Sequence, residues 1–379
     1  MNGAYDAFYK SAWTSACCES AFYYLAAISA RRKDYELALE HAENAIIKNG
    51  RNYKALGLKT YLLRTLGRKN EAAENAKAVL KLDPLDLISR RELEILTGES
   101  FELSKHIIND NTAIELAAEY AVFGAYSDSI EVLDSVNSEY PLVWYYKAYY
   151  LKKLGKGEES LQAIKKAEVL LPDYCFPHRL EDIVVLKSAI AANPTGSAAY
   201  YYLGNLYYDK KRSDDAMDCF KRSAELNPKF PTVHRNLSLA YYNKLGKAGD
   251  AVREMEKAHE LDRSDARVLM ELDKLLEKTG VSPKERLERL EAELETVKER
   301  DDLYLEYITL LNLAGRNEEA YKLITERKFH PWEGGEGKVP AQYVYSLVAM
   351  AKKALDAGKY AKAAGILAKA YKLSLIHID

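Results

Sequence analysis

A small residue recurs along this chain at Ala38, Ala72, Ser129, Ser160, Ala216, Ala251, Ala320 and Ala363 or Ala364, and a proline stands twelve positions after four of them, at Pro84, Pro141, Pro172 and Pro228. Steps of 34, 31 and 35 residues separate neighbouring copies, and the step of 69 residues from Ala251 to Ala320 spans two. Such a chain repeats one supersecondary unit that cannot bury its apolar faces alone and must stack on its neighbours. With 379 residues it is longer than a single core usually grows, and repetition removes that difficulty.

The best copy runs from Tyr200 to Pro228 and reads Tyr200, Leu203-Gly204, Tyr207, Ala216, Phe220 and Pro228. A small residue on each of two helices, Gly204 and Ala216, permits close approach, and apolar residues three and four apart supply a buried stripe. Pro228 prevents the second helix from continuing. This order of landmarks resembles the tetratricopeptide (TPR) repeat. The resemblance implies an all-α fold, a TPR-like α-solenoid in which helix-turn-helix repeats wind into a right-handed superhelix. Alternating strand patterns and Asn-Gly hairpin signals are missing, in keeping with an all-α chain.

Two gaps between markers are too long for one repeat. Leu85 to Leu96 adds a helix, and Leu180 to Ala192, ended by Pro194, reads as a lone second helix. A degenerate unit occupies Ala266 to Val297, where Ser282-Pro283-Lys284-Glu285 is a helix start. The expected organisation is N-terminal repeats over 1–172 with the inserted helix near 85–96, then repeats over 173–328 with the half-repeat near 180–194. A Gly-rich loop at 329–340, a final hairpin at 341–372 and a non-native tail at 373–379 follow.

Composition narrows the function. Fifty-five basic and fifty-seven acidic residues leave a charge of -2, with no basic stripe longer than Arg31-Arg32-Lys33, so nucleic acid and anionic membrane are disfavoured as partners. No apolar run is long enough to span a bilayer, and the start lacks the basic and apolar blocks of a signal peptide, so a cytoplasmic location is expected. Cys17, Cys18, Cys175 and Cys219 form no CxxC pair and read as small buried hydrophobes. The seven histidines show no metal-ligand spacing, and no nucleophile elbow is present. No catalytic residue, metal or cofactor is assigned, and the chain reads as a non-enzyme.

Two places remain as candidate partner-binding surfaces. First helices of such repeats line the inner face, and here they present Tyr201, Asn205, Tyr208, Arg235 and Tyr242. Tyrosine gives broad contact area at low entropic cost, and an Asn/Arg pair can hold a carboxylate, so capture of a peptide or protein is expected. The competing reading is that the 29 tyrosines mainly fill contacts between repeats. The second place is the loop His330 to Val339, where Trp332 and Glu333 are candidates for partner or interdomain contact, with a structural crossover or a direct small-molecule or active-site role as the alternatives. Gly337-Lys338 is followed by Val339 and follows no strand, which excludes a phosphate loop. His178 and Arg179, after Pro177, read as a helix start rather than a catalytic cluster. Asn236-Leu237-Ser238 matches a glycosylation acceptor but falls inside a repeat helix.

Four strings, Ala4 to Lys10, Phe176 to Asp182, Tyr202 to Lys210 and Phe329 to Val339, resemble one bacterial family of large proteins. Its members carry an N-terminal domain of unknown function, similar to carbohydrate-active β-sandwich proteins, followed by a TPR region. The resemblance covers only the TPR part. It implies that the natural start lies upstream of Met1, that carbohydrate chemistry would reside in the missing domain, and that this domain is a possible partner. Leu373 to Asp379 looks like translated sequencing-adapter DNA.

Overall fold

The computed structural model describes residues 2–170 and 174–376; Pro172 and the tail at 377–379 lie outside the described residues. Contacts divide the chain into two units, Met1–Asp209 and Lys210–Asp379. Every regular element among the described residues is a helix.

The first unit begins with α1 (Asn2–Ser11), then α2 (Cys18–Arg31), α3 (Tyr35–Lys48), α4 (Tyr53–Thr65) and α5 (Lys69–Leu82). Next come α6 (Leu87–Thr97), the short α7 (Leu103–His106), α8 (Asp110–Val122) and α9 (Tyr126–Asp134). It ends with α10 (Pro141–Lys153), α11 (Gly157–Val169), α12 (Leu180–Ala192) and α13 (Ala198–Asp209). The second unit holds α14 (Ser213–Leu226), α15 (Pro231–Leu245), α16 (Ala248–Leu261), α17 (Ala266–Lys278) and α18 (Pro283–Ala292). It continues with α19 (Leu294–Lys298), α20 (Asp301–Leu313), α21 (Asn317–Glu326), α22 (Lys338–Asp356) and α23 (Tyr360–Ile376). Within each unit, consecutive helices pack as hairpins, notably α2 with α3, α4 with α5, α8 with α9, α10 with α11, α15 with α16, α20 with α21 and α22 with α23. This is the stacked-hairpin construction of a TPR-like α-solenoid.

One positional grammar builds these hairpins. Ala38, Ala72, Ser129, Ser160, Ala216, Ala251, Ala320 and Ala363 each occupy the fourth position of a second helix, and all are buried. Of the two residues considered at the last copy, Ala363 takes the place and Ala364 is exposed. Where the small residue is serine its hydroxyl reaches the first helix, Ser129 Oγ donating to the Ala117 carbonyl and Ser160 Oγ to the Ala148 carbonyl, both at 2.8 Å. From the marker the buried row runs four and seven residues on, as in Ala72, Ala76 and Val79 or Ala251, Met255 and Ala258. The other faces of these helices are charged, whereas first helices such as α4 and α10 are buried over most of their length.

Five positions before each marker the backbone is left-handed, at Lys33, Gly67, Gly124, Gly155, Lys211, Gly246, Gly315 and Gly358. The following amide returns to a carbonyl of the first helix, as with Arg68 N–H to the Leu63 carbonyl at 2.8 Å, and this closes a Schellman-type end. Glycine adopts this conformation without a Cβ penalty; the two lysines carry it. Gly67→Ala is therefore expected to destabilise the protein by about 1–2 kcal/mol, while Lys33→Gly is expected to be neutral or stabilising by up to about 1 kcal/mol. Urea unfolding of both variants checks the pair, and equal shifts in one direction would refute the assignment.

The prolines differ from the expected pattern. Pro84 and Pro228 follow the ends of α5 and α14, but Pro141 is the first residue of α10. α9 stops at Asp134, so Pro141 starts a first helix, where its missing N–H costs nothing. Helix ends are instead set by Asn49, Asp83, Asn193, Asn227 and Asp262, each outside the right-handed helical region at the C-cap. The side chains of Asn49, Asp83, Asn227 and Asp262 accept from the amide two residues on.

Two irregular units follow from the same grammar. Asn193 stands eleven residues after Asp182, the offset that separates Asn227 from Ala216, so counted from the helix end Asp182, the third residue of α12, takes the marker's place. That buried carboxylate accepts from Tyr146 Oη at 2.6 Å and from the amides of His178 and Arg179 at 2.8 and 2.9 Å. In α18, entered through the Ser282/Glu285 capping box, the fourth position is Arg286, buried against Asp273 of α17. The Gly-rich loop ends earlier than 340: α22 begins at Lys338, because Pro340 falls in its first turn, where no intrahelical N–H is required.

Candidate interaction surfaces

The five residues expected on first-helix faces are differently placed. Tyr201 is buried on α13, its ring edge-on to Tyr202 at 5.3 Å, while Asn205 and Tyr208 are half-buried on the same helix. Arg235 of α15 is held bidentately by Glu271 of α17, at 2.6 and 2.5 Å, and is not available as a carboxylate clamp. Tyr242 is half-buried under the Lys278 ammonium at 5.3 Å. Tyrosine does fill the interior, as Tyr120, Tyr145, Tyr146 and Tyr150 are all fully buried. Tyr208 and Tyr242 keep open surface.

The loop before α22 is anchored rather than free. Arg327 lies over Tyr304 at 4.3 Å and donates to Asp301 at 2.6 Å, and His330 donates its amide to the same carboxylate at 2.8 Å. These donors hold the Asp301 carboxyl below its usual range although burial opposes them. Trp332 turns inward onto the core built by α17 to α21, chiefly α20, together with Phe329, Val339 and Tyr343, whereas Glu333 is exposed. A Cβ on Gly335 would lie 2.4 Å from the Trp332 ring. Gly335→Ala is expected to expel the indole and to destabilise the second unit by about 1–3 kcal/mol. A red-shifted tryptophan emission would report it, and an unchanged spectrum with unchanged stability would contradict this packing.

Arg179 and His178 are structural, as expected of a helix start. Arg179 caps α12 and donates to Asn111 at 3.2 Å and Glu115 at 2.6 Å. Burial pushes the nearby Cys175 thiol up to about 12, which leaves it a poor nucleophile. Cys18 and Cys175 are buried as expected, Cys219 is half-buried, and Cys17 is exposed because it precedes α2 instead of lying within it. Among the described residues no group of His, Cys, Asp or Glu is placed to hold a metal ion, and no helix is long and apolar enough to cross a membrane.

Polar networks inside the first unit escaped sequence reasoning. Arg64 of α4 donates to both oxygens of Glu92 on α6, at 2.5 and 3.1 Å, and to Asp128 of α9 at 2.6 Å. Tyr120 Oη donates to Glu92 at 2.8 Å, and Arg91 lies over the Tyr120 ring while bonding Asp128 and Glu131. Arg31, ending α2, donates to the Val122 and Ala121 carbonyls at 2.8 and 3.1 Å, capping the distant α8.

Glu119 on α8 is different, because burial and the nearby Asp86 push its carboxyl up to about 7. A carboxyl raised on folding binds more protons in the folded state between its unfolded value and about 7, so stability falls as pH rises through that window. Glu119→Gln is expected to stabilise the first unit at pH 8, by on the order of 2–3 kcal/mol, and to change little near pH 4. Urea midpoints at the two pH values test this, and a pH-independent effect would count against it.

Comparison with known proteins comes down to the repeat. The tetratricopeptide repeat model matches residues 197–230, which contain α13 and α14. The cytochrome c-type biogenesis protein CycH of Pseudomonas aeruginosa is 35% identical over 72 residues, 19% of this chain and 18% of CycH, so the chain spans under a fifth of that relative's length. Among solved structures, MamA 41-end from Desulfovibrio magneticus RS-1 is similar at a TM-score of 0.30 and 15% identity, over 51% of this chain and 97% of that one. Yeast Tom70 is similar at a TM-score of 0.30 and 16% identity, over 98% and 89%. The fold class rests on the chain's own helices and the matched repeat, not on these superpositions.

Proposed function

We propose that this chain is a cytoplasmic TPR scaffold, without catalysis or a cofactor of its own, that holds a protein or an adjoining domain through side chains of its first helices. The observation that carries this reading is the recurrence of one hairpin grammar around a matched TPR repeat. Such hairpins expend their residues on stacking and leave repeated, rigidly held faces, which suit extended protein contacts rather than a convergent reactive centre. Tyr208 and Tyr242 are the contact residues we assign on those faces, and Glu333, exposed in the loop before α22, is assigned as a further contact.

On the resemblance of the four strings we read the partner more narrowly as an N-terminal β-domain of a larger carbohydrate-related protein. The alternative is that the chain completes the substrate site of a glycosidase-like domain. Expressing the parent with and without residues 1–379 and screening sugar substrates separates the two, since activity unchanged by the deletion sinks the alternative. For the scaffold itself, the purified chain and its Tyr208→Ala/Tyr242→Ala variant serve as baits. A partner retained by the first and about tenfold weaker on the second is expected. Equal recovery would remove the first helices from the reading.

A further inference from the structure

Stacked repeats contact their neighbours along the chain, and the first unit departs from that rule. Arg31, the last residue of α2, bypasses the α4–α5 hairpin and α6 to reach the end of α8, 91 residues on, where it donates to the Val122 and Ala121 carbonyls at 2.8 and 3.1 Å. The two backbones meet there, since a Cβ on Gly124 would lie 3.3 Å from the Arg31 Cα. Tyr23, Ala27 and Ala30 share the α2 stripe that ends at Arg31, and all three are buried. Arg31 itself is exposed, so water can replace it on the two carbonyls at modest cost.

Glu119 of α8 stands two residues before Ala121, acted on by burial and by charge, with no hydrogen-bond donor to its carboxyl among the described residues. Four ionisable groups face it: Tyr23 on α2, Lys54 on α4, Asp86 at the start of α6, and Glu115 on α8 itself. Tyr23 stays neutral, because burial and Glu119 push its hydroxyl up. Two neighbouring carboxylates against one ammonium, in a place withdrawn from water, disfavour the charged form of Glu119 while α2 and α8 stay together. His41, on α3 beside Phe22 of α2, is held below its usual range by burial.

We infer that the ends of α2 and α8 form a latch that opens while the rest of the first unit stays folded, freeing the α8 carbonyls from Arg31 and giving Glu119 to water. The closed state holds the Glu119 carboxyl up at about 7, and opening returns it to the ordinary carboxylate range. Protonation therefore favours the closed latch, and opening gains ground as pH rises through that window. With an open-state value of 4.5, the open population rises about tenfold from pH 6 to pH 8. The latch goes beyond the scaffold reading and does not depend on it.

Hydrogen exchange of the full chain at pH 6 and pH 8, with rates corrected for the intrinsic effect of pH on amide exchange, tests the latch. Amides of α2, and of α8 through Ala125, are expected to exchange about tenfold faster at pH 8, with α10 to α13 unchanged. Glu119→Gln is expected to hold the pH 6 rates at pH 8. Arg31→Met is expected to speed exchange in α2 and α8 by about three- to tenfold at both pH values. Circular dichroism checks that both variants fold, and the Glu119→Gln comparison decides alone if Arg31→Met does not. The inference is overturned if exchange there is the same at both pH values, if Glu119→Gln follows the unaltered chain, or if a folded Arg31→Met leaves the rates unchanged. Equal acceleration of α10 to α13 would also overturn it, because Glu119 would then meet water only on global unfolding.

Discussion

Replacing Glu92 with alanine is expected to destabilise the first unit by about 3–5 kcal/mol, as much as any single substitution considered for this chain. The carboxylate is completely buried and accepts from Arg64 twice and from Tyr120 once, at 2.5, 3.1 and 2.8 Å. Its removal strands a guanidinium between α4 and α6 with Asp128 as its remaining acceptor and leaves the Tyr120 hydroxyl, deep in the core, without the carboxylate it donates to. A surface ion pair would cost less than about 1 kcal/mol, so the size of the effect separates the two situations. Urea unfolding followed by circular dichroism gives the value, with hydrogen exchange on α4, α6 and α8 locating it. A loss under about 1 kcal/mol would show that the network is peripheral.

Arg286→Ala is the second large effect, with a loss of about 3–5 kcal/mol expected in the second unit. Arg286 occupies the position that alanine or serine holds in eight other second helices, bonding Asp273 at 3.0 and 2.5 Å and Glu306 at 2.7 Å. Burial keeps the Asp273 carboxyl above its usual range despite the arginine, so the aspartate left behind is costly. Replacing both partners, Asp273→Leu with Arg286→Ala, restores the ordinary small and apolar residues. That pair is expected to recover at least about half of the loss, since buried ion pairs are often replaceable by packed apolar groups. No recovery would mean that the irregular turn before α18, rather than the ion pair, requires these residues.

The repeat was legible because the physics of a hairpin is local. A small residue must sit where the second helix crosses the first, and that necessity returns at every copy from Ala38 to Ala363. The left-handed turn five residues earlier was equally available in Gly67, Gly124, Gly155, Gly246, Gly315 and Gly358, and would have aligned the copies without reliance on proline. Pro141 misled because a proline is as well suited to the first turn of a helix as to the residue after one. α12 was visible as a lone second helix from its apolar pattern, but its aspartate marker was not, since a buried carboxylate needs partners that only the fold supplies, here Tyr146 and the amides before α12.

The interaction surfaces were less legible for the same reason. Arg235 reads as an open cation until Glu271, one repeat away, is brought to it. Trp332 reads as a contact candidate because it lies in a Gly-rich loop, yet Gly335 is what allows the indole to turn inward. Glu92 and Glu119 have the same charge in sequence, and only their surroundings make one an anchor and the other a weak acid.

Hydroxyl-radical footprinting of the purified chain, alone and with the protein retained by the bait experiment, tests the scaffold claim most directly. The account predicts that Tyr208 and Tyr242 lose reactivity on binding while outer-face residues of the second helices, such as Ile47 and Leu82, stay as reactive as in the free chain. Protection confined to those second helices, or no protection at all with the partner bound, would contradict it.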